Sequence, residues 1–202
     1  MQITPADAGP EKSVTAQTRR AQIVAATIDT IAELGYAQTS FARIAERAGL
    51  SSTRLISYHF AGKQELVGQV VAEVYHGMTE FMGQRLADQT TASGTLRAYI
   101  EGYIEFVATH RTQMKALLGI FLSGALSVNP GETELVTVQP VEQLLIDGQK
   151  SGEFRDFDPV VLAAAIQRSL DGVPMLVESR PDLDLAACAR ELATVFDLAT
   201  RA

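Results

Sequence analysis

Residues 39–63 read TSFARIAERAGLSSTRLISYHFAGK, and the spacing of apolar side chains within them decides the fold. Phe41, Ile44, Ala45 and Ala48 recur at i, i+3, i+4 and i+7, which gives a short helix one buried face and turns Arg43 and Arg47 away from it. Gly49 can take the positive φ that ends a helix abruptly, and Ser51 or Ser52 can accept a bond from the free amides of the next one. In that second helix Ile56 and Phe60 stand four apart and face inward, leaving Thr53, Arg54, Ser57 and Tyr58 on the opposite side. Two short helices joined by a tight Ala48-Gly49 turn have the layout of a helix-turn-helix DNA reader, whose exposed polar and basic groups reach base edges and phosphates.

Charge divides unevenly around this stretch. Residues 1–63 carry a formal +2 and residues 64–202 carry −9, within a net −7 for the 202 residues. Between Thr39 and Lys63 the basic groups Arg43, Arg47, Arg54 and Lys63 face only Glu46, so the local field is positive and suits a polyanion. The acidic remainder weakens non-specific DNA binding.

Outward from the reader, the pattern stays helical. Residues 1–14 mix Pro, Gly and charge without period and read as a flexible tail. Val24, Ile28, Ile31 and Leu34 mark a first helix from Thr15, stopped by Gly35, with Thr39 or Ser40 capping the next. After the Ala61-Gly62 break, a stripe from Leu66 to Met82 predicts a long strut. Breaks at 91–94, around His110, at Asn129-Pro130-Gly131, at 151–159 and at 179–182 leave room for five more helical segments. Pro140 either kinks one of these or marks its start. No period-2 run demands a strand, so the chain reads as all-α: a tail (1–14), a helix-turn-helix domain (15–62) and a helical effector-binding and dimerisation domain (63–202).

Composition narrows the function. The 47% hydrophobic content supports a substantial core, and a single Cys188 allows no internal disulfide. Three scattered histidines beside one cysteine make no metal cage, and no cofactor motif is present. No nucleophile elbow or phosphate-binding glycine loop occurs, so an enzyme is not expected. No apolar run approaches the roughly 20 residues that span a bilayer, and MQITPADAGPEK lacks a signal core, which predicts a cytoplasmic protein.

In order along the chain, Ile23, Gly35-Tyr36, Thr39-Ser40, Ile44-Ala45, Ala48-Gly49-Leu50-Ser51, Tyr58-His59-Phe60, Lys63 and Leu66 resemble the TetR family of bacterial transcriptional regulators. The GEFRDFDP run from Gly152 and Asp171-Gly172 are similar to its C-terminal half more loosely. The resemblance implies DNA binding by helices one to three, a transmitter helix four, a C-terminal ligand pocket and a homodimer through the last two helices. Their alanine-rich faces, with Ala163, Ala164 and Ala189, agree with close helix approach, as would a protomer's own core. It also implies DNA contacts at Thr39, Ser40, Ser52, Thr53, Arg54, Ser57, Tyr58, His59 and Lys63. The stretch from Ala48 to Phe60 is one residue longer than the usual family spacing, so the recognition helix starts at Ser51 or Ser52. Ser57 stands where the family often has an aromatic, which leaves Arg54 as the strongest base reader, suited to guanine.

Met82, Tyr99, Tyr103, Phe106, Met114, Phe121 and Met175 are candidates for the walls of an effector pocket, and Gln167, Asp171 and His110 are polar groups that could orient a ligand. Excess acid in this domain favours a cationic or neutral ligand. The expected function is a homodimeric repressor released from a pseudo-palindromic operator by a small molecule. An activator and a helical binding module without DNA are the alternatives.

Overall fold

The computed structural model describes residues 10–125 and 137–202, with side chains from Thr15 onward. Among the described residues the chain is all-α, with one isolated bridge between Phe154 and Arg201. The helices are α1 (Pro10–Leu34), a 3-10 turn (Tyr36–Gln38), α2 (Phe41–Arg47), α3 (Arg54–His59), α4 (Lys63–Leu86), α5 (Ala92–Thr109), α6 (Arg111–Leu122), α7 (Gln139–Lys150), α8 (Pro159–Asp171), α9 (Val173–Ser179) and α10 (Leu185–Thr200).

α1 begins five residues before the expected Thr15, because Pro10 has the φ that a first helical residue needs. This corrects the tail at 10–14; residues 1–9 lie outside the described residues. α1 buries Ile23, Val24, Ile28 and Ile31, together with Thr27 and Thr30. The two threonines are tolerated there because each hydroxyl donates to the carbonyl one turn back, at 2.7 and 2.6 Å. Gly35 (φ 78) and Gly49 (φ 62) take the left-handed turns expected of them. Ile44, Ile56, Phe60 and Leu66 meet α1 in a core where each is at most 1% exposed.

In the second part, α10 lies along α5, α4 packs on α5, and α6 packs on α1, so the two parts share one continuous core. Pro140 stands at the start of α7, settling one alternative above. The Asn129-Pro130-Gly131 break lies outside the described residues. The stretch Pro159–Ser179 is 21 residues long and contains an 18-residue window with a mean hydropathy of 1.4, enough by length and composition to cross a membrane, which corrects the expectation that no run approaches that length. It is two helices, α8 and α9, parted at Gly172 with Pro174 following, and Ala163, Ile166, Leu170, Val173 and Val177 are buried in the core.

Candidate nucleic-acid interface and ligand cavity

The reader is held together by side chains that bond main-chain carbonyls. Arg20 on α1 donates to the His59 carbonyl at 2.5 Å, lies 4.1 Å from the Phe60 ring centroid, and reaches Gln69 and Glu65 at 3.2 and 3.4 Å. It therefore ties the end of α3 to both α1 and α4. Gln22 donates to the Ala48 carbonyl at 2.7 Å, fixing the end of α2. Ser52, not Ser51, supports the start of α3: its hydroxyl accepts from the Arg54 amide at 3.1 Å, while the N-cap residue Thr53 makes no side-chain cap bond. Ser40 caps α2 through the Arg43 amide.

On the outer face of this frame, Ser52, Thr53, Arg54, Ser57 and Tyr58 are exposed, Tyr58 at 82%. No contact among the described residues ties down the Arg54 guanidinium. His59 is half-buried with its ring edge against Tyr58. Two expected contacts differ. Thr39 is 3% exposed and its hydroxyl donates to the Gly35 carbonyl at 2.9 Å, so it braces the turn from within and is withdrawn from a DNA surface. Lys63 is half-buried, with Nζ donating to the Tyr36 carbonyl at 2.9 Å and 3.9 Å from that ring. Burial pushes its ammonium below the usual lysine range. The amide of Ala61, just before α4, is taken by Glu65 at 2.6 Å, which sets a carboxylate beside the helix start expected to grip phosphate.

Between α4, α5, α6 and α8 lies a cavity of two adjoining lobes, sharing Tyr75, Tyr103, Leu117, Thr137 and Asp171. The first, about 320 Å³, is also lined by Met78, Met82, Tyr99 and Gln167; the second, about 270 Å³, by Met114, Phe121 and Arg168. Inside, the Tyr99 hydroxyl donates to Gln167 Oε1 at 3.0 Å, and Gln167 Nε2 donates to Asp171 Oδ1 at 2.7 Å. Gln167 is 3% exposed, so this chain of bonds is what lets its amide be buried. Burial, and after it the Asp171 carboxylate, pushes Tyr99 up to about 12 and raises Tyr75 and Tyr103 as well.

The sequence candidates Met82, Tyr99, Tyr103, Met114, Phe121, Gln167 and Asp171 thus stand on the cavity walls. Phe106 does not: it is 1% exposed, stacked 4.0 Å from the His110 ring and edge-on to Phe81. His110 is held there and at the Phe106 carbonyl, away from the cavity. Met175 is 52% exposed on α9. Tyr75 was missed, although it lies three and seven residues before Met78 and Met82 on one face of α4. Among the described residues no group of three or more His, Cys, Asp or Glu side chains is placed to hold a metal.

The architecture is that of a helix-turn-helix protein with a helical C-terminal domain. The sequence model of the family described as bacterial regulatory proteins, tetR family, matches residues 23–70. Two curated relatives are the HTH-type transcriptional regulators BetI 1 of Chromohalobacter salexigens, 32% identical over 104 residues and 51% of each chain, and BetI of Cronobacter sakazakii, 30% identical over 121 residues and 59% of each. The chain spans between half and three fifths of the length of these relatives. Similar solved structures include a transcriptional regulator from Saccharomonospora viridis in complex with choline, at TM-score 0.78 and 21% identity over 92% of this chain and 99% of that one. Another is FadR from Bacillus subtilis in complex with stearoyl-CoA, at TM-score 0.71 and 21% identity over 87% and 96%.

Proposed function

We propose that the chain is a cytoplasmic transcriptional repressor that binds a two-fold-symmetric operator as a homodimer and releases it when a small molecule enters the cavity. The observation that carries this reading is the free Arg54, Ser57 and Tyr58 face of α3, clamped at its far end by Arg20. In this reading residues 15–62 contact DNA through Ser40, Ser52, Thr53, Arg54, Ser57, Tyr58 and His59, and residues 63–202 hold the effector and the dimer contact. For the dimer, the support is a set of exposed apolar residues on α8, α9 and α10: Val160, Val161, Leu176, Val195 and Leu198. These differ from the alanines singled out in the sequence, since Ala163 and Ala189 are buried inside the protomer. Two neighbours of this fold hold choline and stearoyl-CoA, which supports an effector in the helical domain without fixing its chemistry.

Selection of bound duplexes from a random pool tests the reading. A symmetric site whose affinity falls steeply with salt is expected, and replacing Val195 and Leu198 with arginine should give a monomer that no longer retains it. A folded dimer that enriches no duplex would overturn it.

A further inference from the structure

The first lobe has a distinctive lining. Asp171 is the charged residue on it among the described residues, and Arg168 lines only the second lobe, paired with Asp171 Oδ2 at 3.1 Å. Asp171 Oδ1 is held by Gln167, so the carboxylate is fixed in place while its side chain stays 38% exposed, open to a newcomer. Around it stand three tyrosines, and Met78 and Met82 add two polarisable sulfurs. Aromatic ring faces are electron-rich and attract ammonium groups, and a desolvated site strengthens that attraction. An anion here would face a carboxylate and meet no cationic side chain of the lobe; the one amide that could donate, Gln167 Nε2, is turned to Asp171.

We propose that this lobe binds the ammonium group of a small organic cation, seated among Tyr75, Tyr99 and Tyr103 and facing Asp171. This rests on the reading of the cavity as the effector site and names the effector's class. Burial is the main cause that raises the three phenols, and the smaller contribution of the Asp171 carboxylate has the sign that stabilises a bound positive charge. Size permits it. At about 320 Å³ the lobe falls within the range of ligand pockets, roughly 300 to 1,000 Å³, and has room for a few-carbon ammonium compound.

Titration calorimetry on the full chain decides it, using choline, its neutral isostere 3,3-dimethylbutan-1-ol, and hexanoate. Choline should bind at least about tenfold more tightly than the isostere, as expected for a cation among aromatic rings beside a carboxylate. Asp171→Asn keeps the shape and an acceptor for Gln167, and should erase most of that ratio while leaving the isostere unchanged. Equal binding of the two, binding of neither, or preference for hexanoate would overturn the inference. The operator selected above, titrated with the same ligand-free sample, keeps the failures apart. Tight operator binding without cation preference removes this inference alone, whereas failure to bind any duplex removes the regulator reading beneath it.

Discussion

The two halves of the molecule treat empty space in opposite ways. Around α3 the backbone is braced: Arg20, Gln22 and Lys63 each reach across to a main-chain carbonyl, and Ile44, Ile56, Phe60 and Leu66 close the core beneath. Around α4, α5, α6 and α8 the chain leaves a two-lobed cavity, and its buried polar groups bond one another across it. A reader of base edges needs one fixed geometry, since recognition is a matter of fractions of an ångström in hydrogen-bond length. A ligand site needs room that a ligand can fill, and gives up packing contacts to have it.

That contrast is open to direct test, the largest effect first. Phe60→Ala removes a ring that is 1% exposed and carries the Arg20 stack, and should cost roughly 3–5 kcal/mol by urea denaturation. Phe121→Ala, on the cavity wall at 38% exposure, should cost well under half of that. Similar losses at the two sites would mean the cavity domain is as tightly packed as the reader. Gly148→Ala examines a tightly packed spot of the C-terminal domain: a Cβ there would run into the Phe154 ring and lie 2.9 Å from Ala92 Cβ. A loss of about 1–3 kcal/mol is expected, seen as a lower thermal midpoint.

Arg54→Ala should lower affinity for the selected operator by about 1–3 kcal/mol and leave the denaturation midpoint unmoved, because no contact among the described residues holds that guanidinium. A shift in stability with unchanged affinity would make Arg54 a structural residue. The smallest effect near neutral pH belongs to the tyrosines. Burial pushes the Tyr99 phenol up to about 12 in the fold, from the ordinary tyrosine value of 10.0. Above pH 10 the unfolded chain therefore binds fewer protons than the folded one, and stability falls as pH rises from 10 toward 12. Tyr99→Phe should flatten that alkaline decline, and an unchanged slope would place the tyrosine in water.

The reader was legible because its signals are local. Gly49 and the serines after it act within four residues, and the i, i+4 pair Ile56 and Phe60 names the buried side of α3 without any long-range information. Thr39 was misplaced because its neighbour Ser40 has the same capping chemistry, and only the fold shows which hydroxyl points inward. Arg20 left no trace in the sequence: its partner carbonyl lies 39 residues away. In the cavity, Gln167 and Asp171 stood out as polar residues within an apolar segment. Tyr103 and Phe106 lie on one stripe of α5, and only packing shows that Phe106 stands beside Phe81 and His110.

Helix α1 bears on both halves at once. A methyl placed on Gly119 of α6 would sit 3.6 Å from Ile31 Cγ2, so α6, a wall of the cavity, rests directly against α1. Eleven residues back along the same rod, Arg20 grips the end of the reading helix. At 1.5 Å per residue that is a lever arm of about 16 Å, and a tilt of about 10° about Ile31 would swing its grip by roughly 3 Å. One base step along a DNA strand is about 3.4 Å. A push on α6 that tilted α1 by this angle would move the grip of Arg20 by about the pitch of the ladder that the reader must match.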